Sequence, residues 1–153
     1  MRYERVEREP TRVAYARHIG PYEGVSEAFG RLMDWAGPRQ PVVGAPVFMA
    51  VYHDDPGQVP SSELRSDAAL VVPEGVEGEG DVSIETVPGG PYVKTLYVGP
   101  YEGIGSAWDS FMGILQKDGV EIRPVLDCMD IYLNNPSETP PEKLETELWV
   151  PVV

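Results

Sequence analysis

Gly20-Pro21-Tyr22-Glu23-Gly24 occurs a second time in the chain, as Gly99-Pro100-Tyr101-Glu102-Gly103. The residues ahead of the two copies also correspond, because an alternating apolar stretch, Val13 to Ile19, precedes the first copy and Tyr92 to Val98 precedes the second. A motif repeated together with its surroundings indicates an internal duplication, in which each copy belongs to one supersecondary unit.

The correspondence continues downstream of the motif. Ala50 to Pro56 is echoed by Asp130 to Pro136, and Leu64 to Asp67 is echoed by Leu144 to Glu147. The sequence therefore predicts two similar halves that enclose a pseudo-symmetric seam. A seam between two packed units is a common location for a ligand pocket.

The pattern within each half is strand, strand, helix, strand, strand. Hairpin-length connections, such as the turn expected at Glu9-Pro10-Thr11, favour an antiparallel sheet with the helices on one face. We therefore expect an α+β fold with two main helices, a mostly antiparallel sheet and a central cleft. It forms a single domain over residues 1–153, with repeat one at about 1–75, a connector at about 75–80 and repeat two at about 81–153.

Apolar alternation and helical periodicity place the individual elements. The first helix follows Gly20-Pro21 and is expected to end at Gly37-Pro38, with Val25, Phe29, Leu32, Met33 and Ala36 on its buried stripe. The second helix is expected from about Tyr101. The predicted strands are residues 2–8, 12–19, 46–53, 65–72, 81–87, 92–98, 124–133 and 145–152.

Charge and composition narrow the range of partners. The 153 residues include 12 Lys and Arg against 25 Asp and Glu, for a net charge of −13, which repels nucleic acid and anionic membranes and favours cationic partners.

The single cysteine, Cys128, excludes an intramolecular disulfide. No apolar run has the length of a membrane span and the N-terminus is charged, so we expect a cytoplasmic protein without direct nucleic-acid or membrane contact. No spacing of His, Cys and carboxylates is typical of a metal site, and no cofactor is expected.

The last strand contains the most informative pair of side chains. Alternation places Leu148 and Val150 on the face toward the helices, and Glu147 and Trp149 on the opposite face, toward the seam. A carboxylate beside an indole suits an aromatic organic cation, since the ring supplies cation–π attraction and the carboxylate supplies the counter-charge. The duplication gives Asp67 the matching place in the first half. A second interpretation, that Glu147 lies on a solvated sheet face, remains open at this point.

Four tyrosines occupy corresponding positions in the two halves. Tyr22 and Tyr101 open the helices, and Tyr52 and Tyr132 lie in matching strands. Tyrosine combines a flat apolar ring with a polar tip, so this set is a candidate pocket lining.

These segments carry a resemblance to a known family. Val51 to Pro56, Leu64 to Asp67, Val71 to Pro73, Asp130 to Asn135 and Glu147 to Pro151 together resemble the GyrI-like small-molecule-binding family across essentially the whole chain. Within the family, the chain is most similar to the standalone members that act as inhibitors of DNA gyrase.

The resemblance implies a duplicated α+β fold with a central cleft. In effector domains of related multidrug-sensing activators, that cleft holds lipophilic cations and a buried glutamate provides the counter-charge. Glu147 matches this glutamate, and Tyr52, Tyr101, Tyr132 and Trp149 would correspond to the aromatic lining. Those activators carry a helix-turn-helix segment ahead of the domain. This sequence begins at the domain, so a complete regulator of that type is not expected.

Three functions follow as hypotheses. The first is a protein that binds an aromatic, cationic small molecule, with DNA gyrase as a further candidate partner and protection against toxins as the outcome. The second, implied by hydrolytic members of the family, is a hydrolase of cyclopropane-bearing toxins with Glu147 as general base. The third is an acidic module that binds other proteins.

Overall fold

The protein forms one antiparallel sheet of eight strands with two helices, in a computed structural model that describes residues 1–124 and 127–153. The strands are β1 (Tyr3–Arg8), β2 (Thr11–Ile19), β3 (Phe48–Tyr52), β4 (Arg65–Val71), β5 (Val82–Val87), β6 (Gly90–Val98), β7 (Cys128–Tyr132) and β8 (Glu145–Pro151). The helices are α1 (Val25–Arg39) and α2 (Ile104–Lys117). The α+β class, the antiparallel sheet and the two main helices agree with the sequence prediction. Positions 125 and 126 of the strand predicted at 124–133 lie outside the described residues.

The strand order is β1-β6-β8-β7-β3-β4-β2-β5, which places the first strand of each half on the other half. β1 pairs with β6, and β5 pairs with β2. The short connection expected at Glu9-Pro10-Thr11 is present, but it does not form a β-hairpin, because the two strands that it joins are not neighbours. Local alternation identifies a strand but not its partner, and here the partner is supplied by the other half.

This exchange forces the sheet to curve. β1 and β2 are six strand positions apart, about 29 Å in a flat sheet. The link from Arg8 to Thr11 spans at most about 11 Å. The link from Val87 to Gly90, between β5 and β6, imposes the same requirement. The sheet closes toward itself, and its inner face packs a core that includes Met49, Met129, Tyr92 and Trp149.

Each helix covers one flank of the outer face, which we call the helical face. Leu32 and Trp35 of α1 pack on β2, β4 and β5, whereas Phe111 and Leu115 of α2 pack on β6 and β8. Neither core takes in the middle of β3 and β7, so a cleft between the helices has these two central strands as its floor. α1 continues through Pro38 to Arg39, beyond the predicted stop, and Met33 is half exposed and does not belong to the buried stripe.

The glycines of the repeated Gly-Pro-Tyr-Glu-Gly motif allow the chain to turn from a strand into the following helix. Gly20 has a φ of 132°, a conformation that favours glycine. A Cβ at Gly24 would lie 2.5 Å from the ring of His18, and one at Gly103 would lie 2.1 Å from the hydroxyl of Tyr97. The two glycines of the motif therefore permit the sharp turn and the close contact, and the tyrosine between them is placed at the mouth of the cleft.

Candidate functional site

A single carboxylate lies at the centre of the cleft. Asp130, in the middle of β7, is 1% exposed. Its carboxylate accepts hydrogen bonds from the Tyr52 hydroxyl (2.5 Å), the Trp108 indole N–H (2.7 Å) and the Tyr132 hydroxyl (3.3 Å). These donors come from both halves of the chain, so the carboxylate is bound at the seam itself.

Three aromatic residues hydrogen-bond this carboxylate and three further rings pack against them, and we call the six the aromatic cluster. They are Tyr22, Phe29, Tyr52, Tyr101, Trp108 and Tyr132. The ring centroids of Tyr22 and Tyr52 are 4.8 Å apart, those of Tyr101 and Tyr132 are 5.4 Å apart, and those of Phe29 and Tyr132 are 5.8 Å apart. The rings fill the cleft by touching one another, so a ligand would have to displace some of them.

No positive charge balances Asp130 within the described part of the chain. None of the ion pairs there includes it, and its three partners are neutral donors. Burial raises the pKa of Asp130 to about 6, although the hydrogen bonds from Tyr52, Trp108 and Tyr132 act in the opposite direction. The carboxylate is thus largely ionised at neutral pH, in surroundings that favour a cation.

The neighbouring hydroxyls remain protonated. Burial, followed by the charge of Asp130, raises the pKa of Tyr52 and of Tyr132 well above the usual value. Burial raises the pKa of Tyr22 to about 12. All of these groups therefore act as hydrogen-bond donors near neutral pH, and Asp130 is the group of the cluster that carries charge.

Tyr22 and Tyr101 are held differently although they occupy the same place in the repeat. The Tyr22 hydroxyl donates to the backbone carbonyl of Asp54 and accepts from the Asp54 amide at 3.1 Å. Tyr101 is 36% exposed, and its hydroxyl makes no hydrogen bond within the described residues. Tyr22 is consequently anchored through its hydroxyl, whereas the described contact of the Tyr101 ring is its packing against Tyr132.

Glu147 and Trp149 lie on the opposite side of the sheet from the aromatic cluster. Alternation predicted correctly that they point away from the helices, but that inner face is a packed core, and Trp149 is 7% exposed within it. Glu147 accepts hydrogen bonds from Lys94 (2.9 Å) and from the Trp149 indole (3.2 Å). The charge of Glu147 is thus paired with Lys94, and each of its oxygens accepts one hydrogen bond from a neighbouring side chain.

Asp67 also lies on the inner face, within what we call the inner ionic cluster: Arg17, His53, Asp67, Glu85 and Asp127. Asp67 is fully buried and accepts from Arg17 (2.8 Å) and His53 (2.6 Å), while the other ring nitrogen of His53 is 2.8 Å from Asp127. Although burial acts in the opposite direction, the hydrogen bonds from His53 and Arg17 lower the pKa of Asp67.

His53 is the cation that links the two halves in this cluster. Burial lowers the pKa of His53, but hydrogen bonds with Asp127 and Asp67 outweigh it and raise the pKa to about 9. Ligating atoms of His53, Asp67 and Glu85 lie within 4.8 Å of one another, a spacing that a metal ion could use. Because Arg17 and protonated His53 already neutralise Asp67, we interpret the cluster as an ion-pair network.

The structure therefore divides the predicted site residues between the two faces. Tyr22, Tyr52, Tyr101 and Tyr132 meet around Asp130, whereas Asp67, Glu147 and Trp149 lie behind the sheet. Asp130 and Trp108 were not predicted as site residues. The signal for Asp130 was present, as an acidic residue in the middle of an apolar strand, alternating with Tyr132 and aligned with Ala50 in the repeat.

Two open depressions elsewhere on the described surface do not overlap this site. One, of about 490 Å³, is lined by Arg12 and the Glu77–Ile84 region, and the other, of about 500 Å³, lies beside α2 near Met112. Neither collects aromatic rings around a buried charge. No helix of the described chain combines the length and apolar character needed to cross a membrane.

Relatives of known name match along most of the chain. A protein named DNA gyrase inhibitor from Escherichia fergusonii is 29% identical over 157 residues, covering 100% of this chain and 99% of the relative. DNA gyrase inhibitor 2 from Dickeya dadantii is 31% identical over 144 residues, covering 92% and 88%.

Solved structures show the same fold at lower identity. The C-terminal domain of EcmrR is 17% identical, with a TM-score of 0.77 over 99% of this chain and 97% of that one. The structure of SAV2435 bound to tetraphenylphosphonium is 11% identical, with a TM-score of 0.70 over 100% of this chain and 94% of that one.

The chain also matches a family model. Residues 1–153 match the GyrI-like small molecule binding domain over their full extent. The duplicated sheet and the cleft between the two helices fit that assignment, and the chain belongs to the family of GyrI-like small-molecule-binding domains.

Proposed function

We propose that the cleft between α1 and α2 binds an aromatic organic cation, with Asp130 as its counter-charge. The observation that carries the proposal is a buried carboxylate within the aromatic cluster, for which the described residues supply no cation. A cation over an aromatic face gains attraction that increases as water is removed. The ligand would supply the positive charge that the described protein groups around Asp130 do not.

The likeness to SAV2435 bound to tetraphenylphosphonium supports the chemical class. Tetraphenylphosphonium presents four phenyl rings and a delocalised charge without hydrogen-bond donors. Such a ligand suits Asp130, because the oxygens of this carboxylate already accept three hydrogen bonds from the protein. The ligand would interact with Asp130 through electrostatic attraction and would not need to donate a hydrogen bond.

Access to the carboxylate runs past Tyr101 in this proposal. Tyr101 is the exposed ring of the cluster, and its hydroxyl is unanchored within the described residues, whereas Tyr22 is tied to the backbone of Asp54. Outward rotation of Tyr101 uncovers Tyr132, whose hydroxyl is 3.3 Å from the Asp130 carboxylate. The ligand would then stack between Tyr101 and the remaining rings.

Isothermal titration with tetraphenylphosphonium tests the proposal. Asp130→Asn preserves shape and removes charge, so affinity should fall roughly ten- to a hundredfold, the range expected for loss of a charge-assisted contact. Glu147→Gln is the matched control, since it removes a carboxylate on the inner face and should change affinity less than about twofold. Equal losses in both variants, or a loss confined to Glu147→Gln, would reject the assignment of Asp130.

We also propose an interaction with DNA gyrase, on separate grounds. The support is the set of relatives named DNA gyrase inhibitor, at 29% to 31% identity, together with the net charge of −13. An acidic protein can approach a basic DNA-binding surface through long-range attraction, which is screened beyond about 8 Å at physiological salt.

A supercoiling assay with purified gyrase at a range of salt concentrations tests this interaction. Inhibition should appear at low salt and weaken as salt rises. Asp130→Asn separates the two proposals, because it removes the carboxylate of the cleft but changes the net charge of the protein by only one. If a large molar excess of protein leaves supercoiling unchanged at low salt, the gyrase interaction is rejected and the cation site is unaffected.

A further inference from the structure

The two halves supply matching aromatic residues to the cleft at three positions and differ at its floor. Tyr22 corresponds to Tyr101, Phe29 to Trp108 and Tyr52 to Tyr132, so each pair is aromatic on both sides. The fourth pair is Ala50 and Asp130, a methyl group opposite a carboxylate. The asymmetry of the cleft is therefore concentrated at its floor.

Ala50 and Asp130 are direct neighbours across the central strand pair. They are register partners of β3 and β7, so their side chains leave the same face of the sheet with Cβ atoms about 5 Å apart. Both are buried, at 0% and 1% exposure. Ala50 has the smallest side chain of this floor, whose other residues are Phe48, Tyr52, Cys128 and Tyr132.

We infer that Ala50 is a specificity-determining residue of the cleft: it forms the seat for the charged centre of the ligand and leaves the site with one negative charge. This inference rests on the proposed binding of a cation. Once the rings move apart, the lowest point of the floor lies above the Ala50 methyl, beside the Asp130 carboxylate. A charged centre placed there stays in contact with Asp130, and a single carboxylate matches a monocation.

A change of volume tests the seat. Ala50→Val adds two methyl groups to the floor without charge, and valine suits a strand. It should weaken tetraphenylphosphonium binding at least about fivefold. Ala16→Val is the matched control, because Ala16 is equally buried but packs beneath α1, and it should leave affinity within about twofold. Wild-type affinity in Ala50→Val would overturn the seat.

A transposition tests the charge. Asp130→Ala should lose binding of tetraphenylphosphonium by at least about tenfold, and adding Ala50→Asp to it moves the carboxylate to the symmetric position at constant composition. The Tyr132 hydroxyl is placed by symmetry to donate to it, although Phe29 offers no counterpart to the Trp108 donor. Recovery to within about fivefold of wild type is expected.

The outcomes distinguish a failure of the proposed function from a failure of the inference about position 50. A wild-type protein that does not bind tetraphenylphosphonium rejects the proposed function and this inference with it. If the wild type binds tetraphenylphosphonium, Asp130→Ala binds it weakly and the folded double variant binds it no better than Asp130→Ala, the role of position 50 is rejected. The proposed function is then retained. Circular dichroism establishes folding, and if the double variant does not fold, the comparison of Ala50→Val with Ala16→Val decides the inference.

Discussion

The two faces of the central sheet hold buried carboxylates in opposite electrostatic situations. On the inner face, Asp67 is paired with Arg17 and His53, and Glu147 is paired with Lys94. On the helical face, Asp130 is as deeply buried as Asp67 and more buried than Glu147, but its partners are neutral donors and aromatic rings. Burial alone therefore does not identify a binding residue. The distinguishing feature of Asp130 is a buried charge for which the described residues supply no cation.

This difference predicts opposite consequences of removing each carboxylate. Taking away one member of a satisfied ion pair leaves its partner charge behind, whereas taking away an unpaired carboxylate relieves a desolvation cost. The inner-face groups should therefore matter for stability and the helical-face group for ligand affinity.

The largest expected effect is on stability at the inner face. Asp67→Asn leaves Arg17 and the His53 cation without their shared partner and should lower the free energy of unfolding by about 2–3 kcal/mol, below the full range for buried pairs because the Arg17 side chain is 36% exposed. Urea denaturation measures it. Glu147→Gln is the control, with an expected loss of about 1 kcal/mol or less. A loss for Asp67→Asn no larger than that of the control would show that the inner ionic cluster does not stabilise the fold.

Asp130→Asn should change the free energy of unfolding in the opposite direction. The pKa of Asp130 is about 6 in the folded protein against 3.8 for the ordinary carboxyl, so the native state binds more protons between these values and its stability falls as pH rises through them. At neutral pH the amide should therefore be as stable as wild type or more so. Thermal unfolding at about pH 7.5 and about pH 4 gives the comparison. A marked destabilisation at neutral pH would mean that the ionised carboxylate supports the fold.

Cation affinity should itself depend on pH. In the proposed function the ionised form of Asp130 binds the cation, so affinity for tetraphenylphosphonium should be constant above about pH 7 and fall roughly tenfold by about pH 5, one unit below the pKa of about 6. Titration of Glu147→Gln should show the same profile, because Glu147 lies on the other face. A flat profile across this range in the wild type would contradict an ionisable counter-charge.

The smallest effect is expected from the donors around Asp130. Tyr52→Phe removes the 2.5 Å hydrogen bond to the carboxylate, and Tyr132→Phe removes the 3.3 Å one. Each bond stabilises the ionised form, so each loss should move the midpoint of the affinity profile upward, by about one unit for Tyr52→Phe and less for Tyr132→Phe. At about pH 7.5 the change in affinity should be under about twofold. A midpoint that moves more in Tyr132→Phe would show that the ranking by distance is wrong.

The same contrast explains what could be predicted from the sequence. The duplication around Tyr22 and Tyr101 and the alternation along β8 were enough for the fold class and for the face of Glu147, because both depend on local patterns. The exchange of β1 and β5 between halves was not predictable from those patterns, since pairing is decided by contacts distant in sequence. Asp130 was overlooked for a related reason: its importance depends on which carboxylates find cations, and Lys94 is 53 residues from Glu147 in the chain.

The central claim is that Asp130 carries a buried negative charge that a bound cation neutralises. Its direct test is the titration of the Asp130 carboxyl by carbon-13 NMR, assigned by its absence in Asp130→Asn, with and without saturating tetraphenylphosphonium. We predict a pKa of about 6 for the protein alone and a clearly lower pKa with the cation bound, since a neighbouring positive charge favours the ionised form. A pKa near the ordinary 3.8 that does not respond to the cation would contradict the account.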